Sequence, residues 1–199
     1  MDPKGNINNL RRKLTRFFSR LFISNKGSDD FFNQNVTQVK KILICRPNHR
    51  LGNNLLLTPL VKELNKIFPN AEIHLFTKGN LGNIVFENYK DVRRLIKLPR
   101  KPFKNLITYF ACWLSLLENK YDIVINANRQ SSSGKLAVKL SKSNYKFYNA
   151  LNSSLIYLKD YRHHAKNSIY NLRFQLKNKI NRDKKKIYKL DIKLRDYEI

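Results

Sequence analysis

Arg46-Pro47-Asn48-His49-Arg50-Leu51-Gly52-Asn53 gathers an imidazole, two guanidinium groups, a glycine and a terminal carboxamide in one short stretch. Histidine, with an ordinary pKa of about 6.5, is the side chain that exchanges a proton near neutrality, so His49 is a candidate base. It reads equally as an exposed loop histidine. Arg46 and Arg50 could grip a phosphate bidentately, as guanidinium groups favour, or could be surface charge. Gly52 would let the backbone approach a ligand or take positive φ, or would sit in an ordinary turn. Asn53 can hydrogen-bond a substrate hydroxyl, and it also suits the N-cap of a helix starting at Leu55–Leu57; the two roles are compatible.

A second cluster is Asn126-Ala127-Asn128-Arg129-Gln130-Ser131-Ser132-Ser133-Gly134-Lys135. Hydroxyls and a glycine at a helix start can bind an anion, so Asn128, Ser131, Ser132 and Ser133 are substrate-binding candidates. A capped loop is the plainer reading. The spacing G-x-x-x-x-G-K-[ST] is absent, which argues against ATP binding of that kind. His163-His164 precede a helical stretch; adjacent histidines do not share a helix face and make a poor metal pair. His74 falls in a strand and receives no role. No metal-ligand spacing and no cofactor motif is present.

These clusters need elements to hold them. Ile42-Leu43-Ile44 is a short apolar run, as in a strand buried on both faces. Leu56, Leu57, Leu60, Val61, Leu64, Ile67 and Phe68 recur at helical spacing, Pro69-Asn70 ends that helix, and Ala71–Phe76 begins another strand. A βαβ unit of this kind implies a parallel sheet with right-handed crossovers and puts Arg46–Asn53 at a strand's carboxyl end, where such folds bind ligands. Strands are expected near 41–45, 72–76, 94–98, 122–126 and 145–148, and helices near 54–67, 80–88, 104–119, 133–141 and 163–180. This alternation reads as α/β with a mostly parallel sheet. The 103–117 stretch is apolar on nearly all sides; it is either a core helix or a second membrane or lipid contact, and is too short to span a bilayer.

The segment from Lys41 to Phe76 resembles glycosyltransferase family 9, the heptosyltransferases of lipopolysaccharide core synthesis. The matching residues are Arg46, Leu51-Gly52, Leu55 to Leu60, and Phe68-Pro69-Asn70-Ala71-Glu72-Ile73. Tyr121–Ile125, His163-His164-Ala165 and Leu190–Leu194 are similar more weakly. The resemblance implies a Rossmann-like domain equivalent to the amino-terminal, acceptor-side half of a GT-B fold. It also implies inverting transfer of a sugar from a nucleotide-sugar donor to a phosphorylated, lipid-linked glycan acceptor such as the lipopolysaccharide core, at the inner face of a bacterial inner membrane. The family's presumed base is an aspartate at the position of Asn53. A carboxamide accepts no proton at neutral pH, which leaves His49 as the nearest titratable substitute. By the resemblance, one of His163 and His164 lines the cleft, with His163 the substrate-binding candidate; otherwise they cap or precede the helix. The donor binds mainly to the other half of the family fold, so this chain is expected to be incomplete alone.

Four segments are expected: a basic amphipathic extension over 1–26, a linker over 27–40, the acceptor-side domain over 41–185, and the start of an interdomain segment over 186–199. In the extension, Leu10, Leu14, Phe17, Phe18, Leu21 and Phe22 share a helix face, with Arg11, Arg12, Lys13, Arg16 and Arg20 elsewhere, as in a helix lying on a membrane or packed on the domain. Arg16 and Arg20 interrupt the apolar stretch, so it does not read as a signal peptide. Forty Lys and Arg against 14 Asp and Glu give a formal charge of +26, which predicts attraction to anionic membranes and other polyanions. No helix-turn-helix, zinc finger or RNP-type signature accompanies it, so no specific nucleic acid is expected. The 42% hydrophobic content suits a packed core. Cys45 and Cys112 read as reduced, buried thiols of a cytosolic protein. The rivals to an enzyme are a non-enzymatic acceptor- or membrane-binding remnant of the family, favoured by Asn53, and, behind it, a basic nucleic-acid-binding protein, prompted by the charge alone.

Overall fold

The computed structural model describes residues 38–176 together with 187, 189 and 190. The expected extension over 1–26, most of the linker, the helix beyond 176 and the strand-like segment at 191–194 lie outside the described residues. Five strands form one sheet: β1 (Lys41–Cys45), β2 (Glu72–Lys78), β3 (Val92–Leu98), β4 (Lys120–Asn126) and β5 (Lys142–Phe147). Every pairing is parallel, and the spatial order is β3-β2-β1-β4-β5. That is a Rossmann-like sheet, with its order reversing between β1 and β4.

β1 is central because its side chains are apolar on both faces. Ile42, Leu43, Ile44 and Cys45 are fully buried. Alternation divides them. Ile42 and Ile44 join a core built with α2 (Thr58–Ile67), α3 (Leu81–Phe86) and α6 (Asn167–Gln175), through Leu60, Leu64, Phe86 and Leu172. Leu43 and Cys45 join Phe76, Leu116, Ala137 and Val138 on the other face, beneath α4 (Leu106–Glu118) and α5 (Ser132–Leu140). Burial also pushes the Cys45 thiol's pKa well up. The Asp122 carboxylate of β4 accepts from the backbone N–H groups of Lys40 and Lys41, both at 2.9 Å, and fixes the start of β1.

The single helix expected over 54–67 is two: α1 (Leu51–Leu55) and α2. Pro59 accounts for the break. It lacks the N–H that would bond the Leu55 carbonyl, and its ring crowds that carbonyl. The Thr58 hydroxyl donates to the Leu55 oxygen instead, at 2.9 Å. β5 starts at Lys142, earlier than the expected 145, and α6 starts at Asn167 rather than 163.

α6 is tied to α2 by a forked ion pair. Arg173 Nε donates to Glu63 Oε1 at 2.6 Å and Nη2 to Oε2 at 2.8 Å, with Glu63 buried. Such bidentate geometry is the strong form of the interaction. In β2, His74 is buried with Nδ1 3.2 Å from the Tyr121 hydroxyl. Burial lowers its pKa first, Lys41 and Arg94 lower it further, and Glu72 opposes them. His74 is thus held neutral within the sheet.

α4 is neither a wholly buried core helix nor a spanning one. Tyr109, Cys112, Trp113 and Leu116 pack on the sheet side, with Trp113 edge-on to Phe76. Ile107, Phe110 and Leu114 face outward. Burial raises the Cys112 thiol to about 11. No helix among the described residues is long and apolar enough to cross a membrane.

Candidate functional site

β1 and β4 are neighbours, with Cys45 opposite Asn126 and the Ala127 N–H donating to the Cys45 carbonyl at 3.1 Å. Their carboxyl ends therefore bring the two sequence clusters side by side, Arg46–Asn53 after β1 and Ala127–Gly134 after β4. They meet where the strand order reverses, the crevice in which open α/β sheets bind ligands.

In the first loop Arg46 is buried, and its Nη2 donates to Asn53 Oδ1 at 2.9 Å. Burial pushes the guanidinium pKa down, and its Nε has no hydrogen-bond partner. Arg46 thus positions Asn53 rather than presenting a phosphate clamp at the surface. Arg50 is the exposed guanidinium of the pair. The loop is tightened by Asn48, whose Oδ1 accepts from the Arg50 N–H at 2.9 Å. His49 is half-buried in this turn.

Two expectations for this loop are corrected. Asn53 is not a helix N-cap: Arg50 precedes α1, and Asn53 lies inside its first turn with its carbonyl oxygen committed to Arg46. The arginine outcompetes the backbone because a charged donor makes the stronger hydrogen bond. Gly52 does not take positive φ; Gly79 is the glycine that does among the described residues. Gly52 is exposed, and nothing lies within 4 Å of where a Cβ would stand. Asn54, next in the chain, is fully buried with neither side-chain polar atom hydrogen-bonded.

The serine cluster is largely spent on helix capping. Ser131 Oγ accepts from the Gly134 N–H at 3.0 Å and lies 3.4 Å from the Ser133 hydroxyl. Ser132 is exposed at the start of α5. Gly134 serves packing: a Cβ there would fall 2.3 Å from Asn126 Oδ1. Asn126 is buried, donates to the Tyr148 carbonyl at 3.3 Å and accepts from the Asn128 N–H at 3.3 Å. Asn128 Oδ1 in turn accepts from the Gln130 N–H at 3.1 Å, which shapes the loop.

A cleft of about 360 Å³ opens beside this loop. Asn128, Arg129 and Gln130 form one wall, and Tyr161, Arg162 and His164 contribute the other. Among the described residues its lining contains no carboxylate, so its electrostatic preference is for an anion. The cleft is lined by His164, whereas His163 lies outside that lining and accepts from the Ala165 N–H through Nδ1 at 3.3 Å. None of Arg46–Asn53 lines it; that loop stands on the adjoining strand end.

Of the far wall the sequence marked only His163-His164, which the resemblance brought to the cleft. It is held by a buried polar network: Tyr161 OH donates to Asn171 Oδ1 at 2.8 Å, and Asn171 Nδ2 donates to Asn149 Oδ1 at 2.6 Å. Asn167 Nδ2 donates to the Tyr161 carbonyl at 3.0 Å. Asn149 has φ 54°, a left-handed conformation that asparagine tolerates better than most residues. The density of asparagine between 149 and 171 is the sequence signal for the network behind that wall. Among the described residues no cluster of His, Cys, Asp or Glu could hold a metal ion.

No protein-family model matches this sequence, and no curated protein matches it. Solved structures do share its fold. One is the glycosyl transferase family 9 protein from Veillonella parvula DSM 2008, at 21% identity and a TM-score of 0.57, covering 83% of this chain and 48% of that one. Another is the E. coli heptosyltransferase WaaC with ADP, at 16% identity and a TM-score of 0.52, covering 73% of this chain and 49% of that one. The chain thus spans about half the length of each and has the Rossmann-like fold of these glycosyltransferases over that half.

Proposed function

We propose that this chain is the acceptor-side half of a family 9, heptosyltransferase-like glycosyltransferase. The observation that carries the reading is the cleft with Arg129, Arg162 and His164 and no carboxylate among its described lining, at the carboxyl ends of β4 and β5 beside the strand-order switch point, on a fold shared with such enzymes. The acceptor is a phosphorylated, lipid-linked glycan of the lipopolysaccharide-core type, met at the inner face of a bacterial inner membrane. Arg129 and Arg162 pair with its phosphate groups, and Asn128 and the α5 serines contact its sugar hydroxyls. Arg50 and the open backbone at Gly52 face it from the β1 side. The nucleotide-sugar donor is bound by a complementary half.

In the transfer, the acceptor hydroxyl oxygen attacks the anomeric carbon, and the bond to the nucleoside diphosphate breaks with its electron pair. The hydroxyl proton passes to a base. Asn53, held by Arg46, orients the hydroxyl, and His49 takes the proton. A second reading, an acceptor-binding protein without catalysis, is favoured by the carboxamide at Asn53.

Calorimetric titration of the chain with a phosphorylated lipopolysaccharide-core oligosaccharide tests the binding claim. Saturable binding is expected, weakened roughly tenfold by Arg129→Ala or Arg162→Ala, the scale of one charged hydrogen bond. No binding, or binding unaffected by both substitutions, would sink it. With a complementary donor half and nucleotide sugar present, transfer abolished by His49→Ala supports the enzyme; acceptor binding without transfer selects the second reading.

A further inference from the structure

We propose that the outward face of α4 is a membrane-docking surface that inserts into the headgroup region of an anionic bilayer. Ile107 is 84% exposed, Phe110 60% and Leu114 58%, a spacing of three and four residues that forms one continuous stripe. Phe103, 63% exposed in the turn before the helix, and Leu106, 48% exposed, extend it. Large apolar side chains grouped in this way on a folded surface mark a contact site rather than ordinary exposure.

The charge around the stripe selects the partner. Arg94, on the α4 side of β3, and Arg100, Lys101 and Lys104, in the connection into α4, are all exposed. No Asp or Glu occurs between Asp91 and Glu118. An apolar stripe with a rim of one sign of charge matches an anionic lipid surface, with side chains in the acyl boundary and cations among the headgroups. α4 has 13 residues, about 20 Å of helix, so it lies in the interface plane rather than crossing.

Residues 10–22 of the same chain are a poor cover for the stripe. They carry Arg11, Arg12, Lys13, Arg16 and Arg20, the same sign as the rim, so the two repel each other and share an attraction to anionic lipid. α4 begins just after β3 reaches the carboxyl edge of the sheet, the edge that holds the candidate site. Docking through its first turns sets that edge against the bilayer. The proposal does not rest on the glycosyl-transfer reading.

The test uses the full chain with vesicles of phosphatidylcholine alone or mixed with phosphatidylglycerol, containing lipid brominated in the upper acyl chain. In the Ile107→Trp variant, added indole fluorescence is expected to be quenched in the anionic vesicles. Native Trp113, packed against Phe76, is the internal reference and should be quenched far less. The combined variant Ile107→Gln, Phe110→Gln, Leu114→Gln is expected to stay folded, because those side chains are exposed, and to partition roughly a hundredfold less, the scale of several apolar side chains lost from the interface. Vesicle-bound chain whose introduced indole escapes quenching would overturn the proposal, since charge or residues 10–22 would then hold it. So would an absence of anionic-vesicle binding. A lipid-free dimer that the combined variant disperses would assign the stripe to a second copy and overturn it too.

Discussion

Asn53→Asp is the most informative single substitution in the candidate site. The Asn53 side-chain oxygen already accepts from Arg46 Nη2 at 2.9 Å, and the new carboxylate is isosteric, so geometry is unchanged while a charge is added. Coulomb attraction at that distance is about 1.4 kcal/mol in bulk water and about 6 kcal/mol at an effective dielectric constant of ~20. Asn53 is half-exposed, so screening and loss of carboxylate hydration leave a net gain of about 1–2 kcal/mol. For a chain of this size that is a rise in melting temperature of about 2–8 °C. The arginine lowers the new carboxyl's pKa, so the gain is present above the unfolded value of about 3.9 and disappears as pH falls through the lowered folded value. Thermal unfolding followed by circular dichroism near neutrality and in acid reads both effects. In an Arg46→Met background the gain should vanish. An unchanged or lower melting temperature near neutrality, or a gain that survives loss of Arg46, would refute the pairing. If the chain takes part in transfer, the same substitution is expected to raise the rate by supplying a carboxylate beside the acceptor.

Arg173→Leu leaves buried Glu63 without its forked partner and should destabilise the fold by about 3 kcal/mol, read as a lower urea midpoint. Gly134→Ala drives a methyl group into Asn126 Oδ1 and should cost about 1–3 kcal/mol, with the largest backbone amide shift changes at Asn126 and Asn128. His74 has a lowered folded pKa, so stability is full above its unfolded value of about 6.5 and declines as pH drops below it. Lys41 and Arg94 sharpen that decline, and Glu72 softens it. His74→Phe should flatten this part of the stability profile, whereas an identical acid dependence in the variant would exclude His74 as its source.

What could be read from the sequence was what short-range periodicity encodes. Ile42–Cys45, Leu60–Leu64 and Tyr121–Ile125 declare their environments through apolar spacing, and the five strands and the parallel sheet follow from them. β5 was placed too late because Lys142, Ser143 and Asn144 are polar, as an edge strand permits. The break between α1 and α2 was written in Pro59 but hidden by the leucines on either side. In the site, spacing put both loops at strand ends but did not show what their side chains hold. Arg46 read as a phosphate contact or surface charge, and its bond to Asn53 was in neither reading; of the two readings of the serine cluster, the capped loop is the one that the Ser131–Gly134 bond displays. The Tyr161–Asn171–Asn149 network and the Glu63–Arg173 pair join distant residues, and no local pattern announces such pairs.

The placement of β1 also has a cost during synthesis. Its neighbours arrive at very different times: β2 follows within the next few tens of residues, whereas Asn126, opposite Cys45, is 81 residues further on (126 − 45). At ~5–20 residues per second, a ribosome needs about 4–16 s to supply that partner. For that interval the most apolar strand of the domain has one unpaired edge and one face without α4 or α5. Nascent chains are therefore most prone to self-association in this window, and slow codons between β2 and β4 should lower the soluble yield while the same codons after β5 should not.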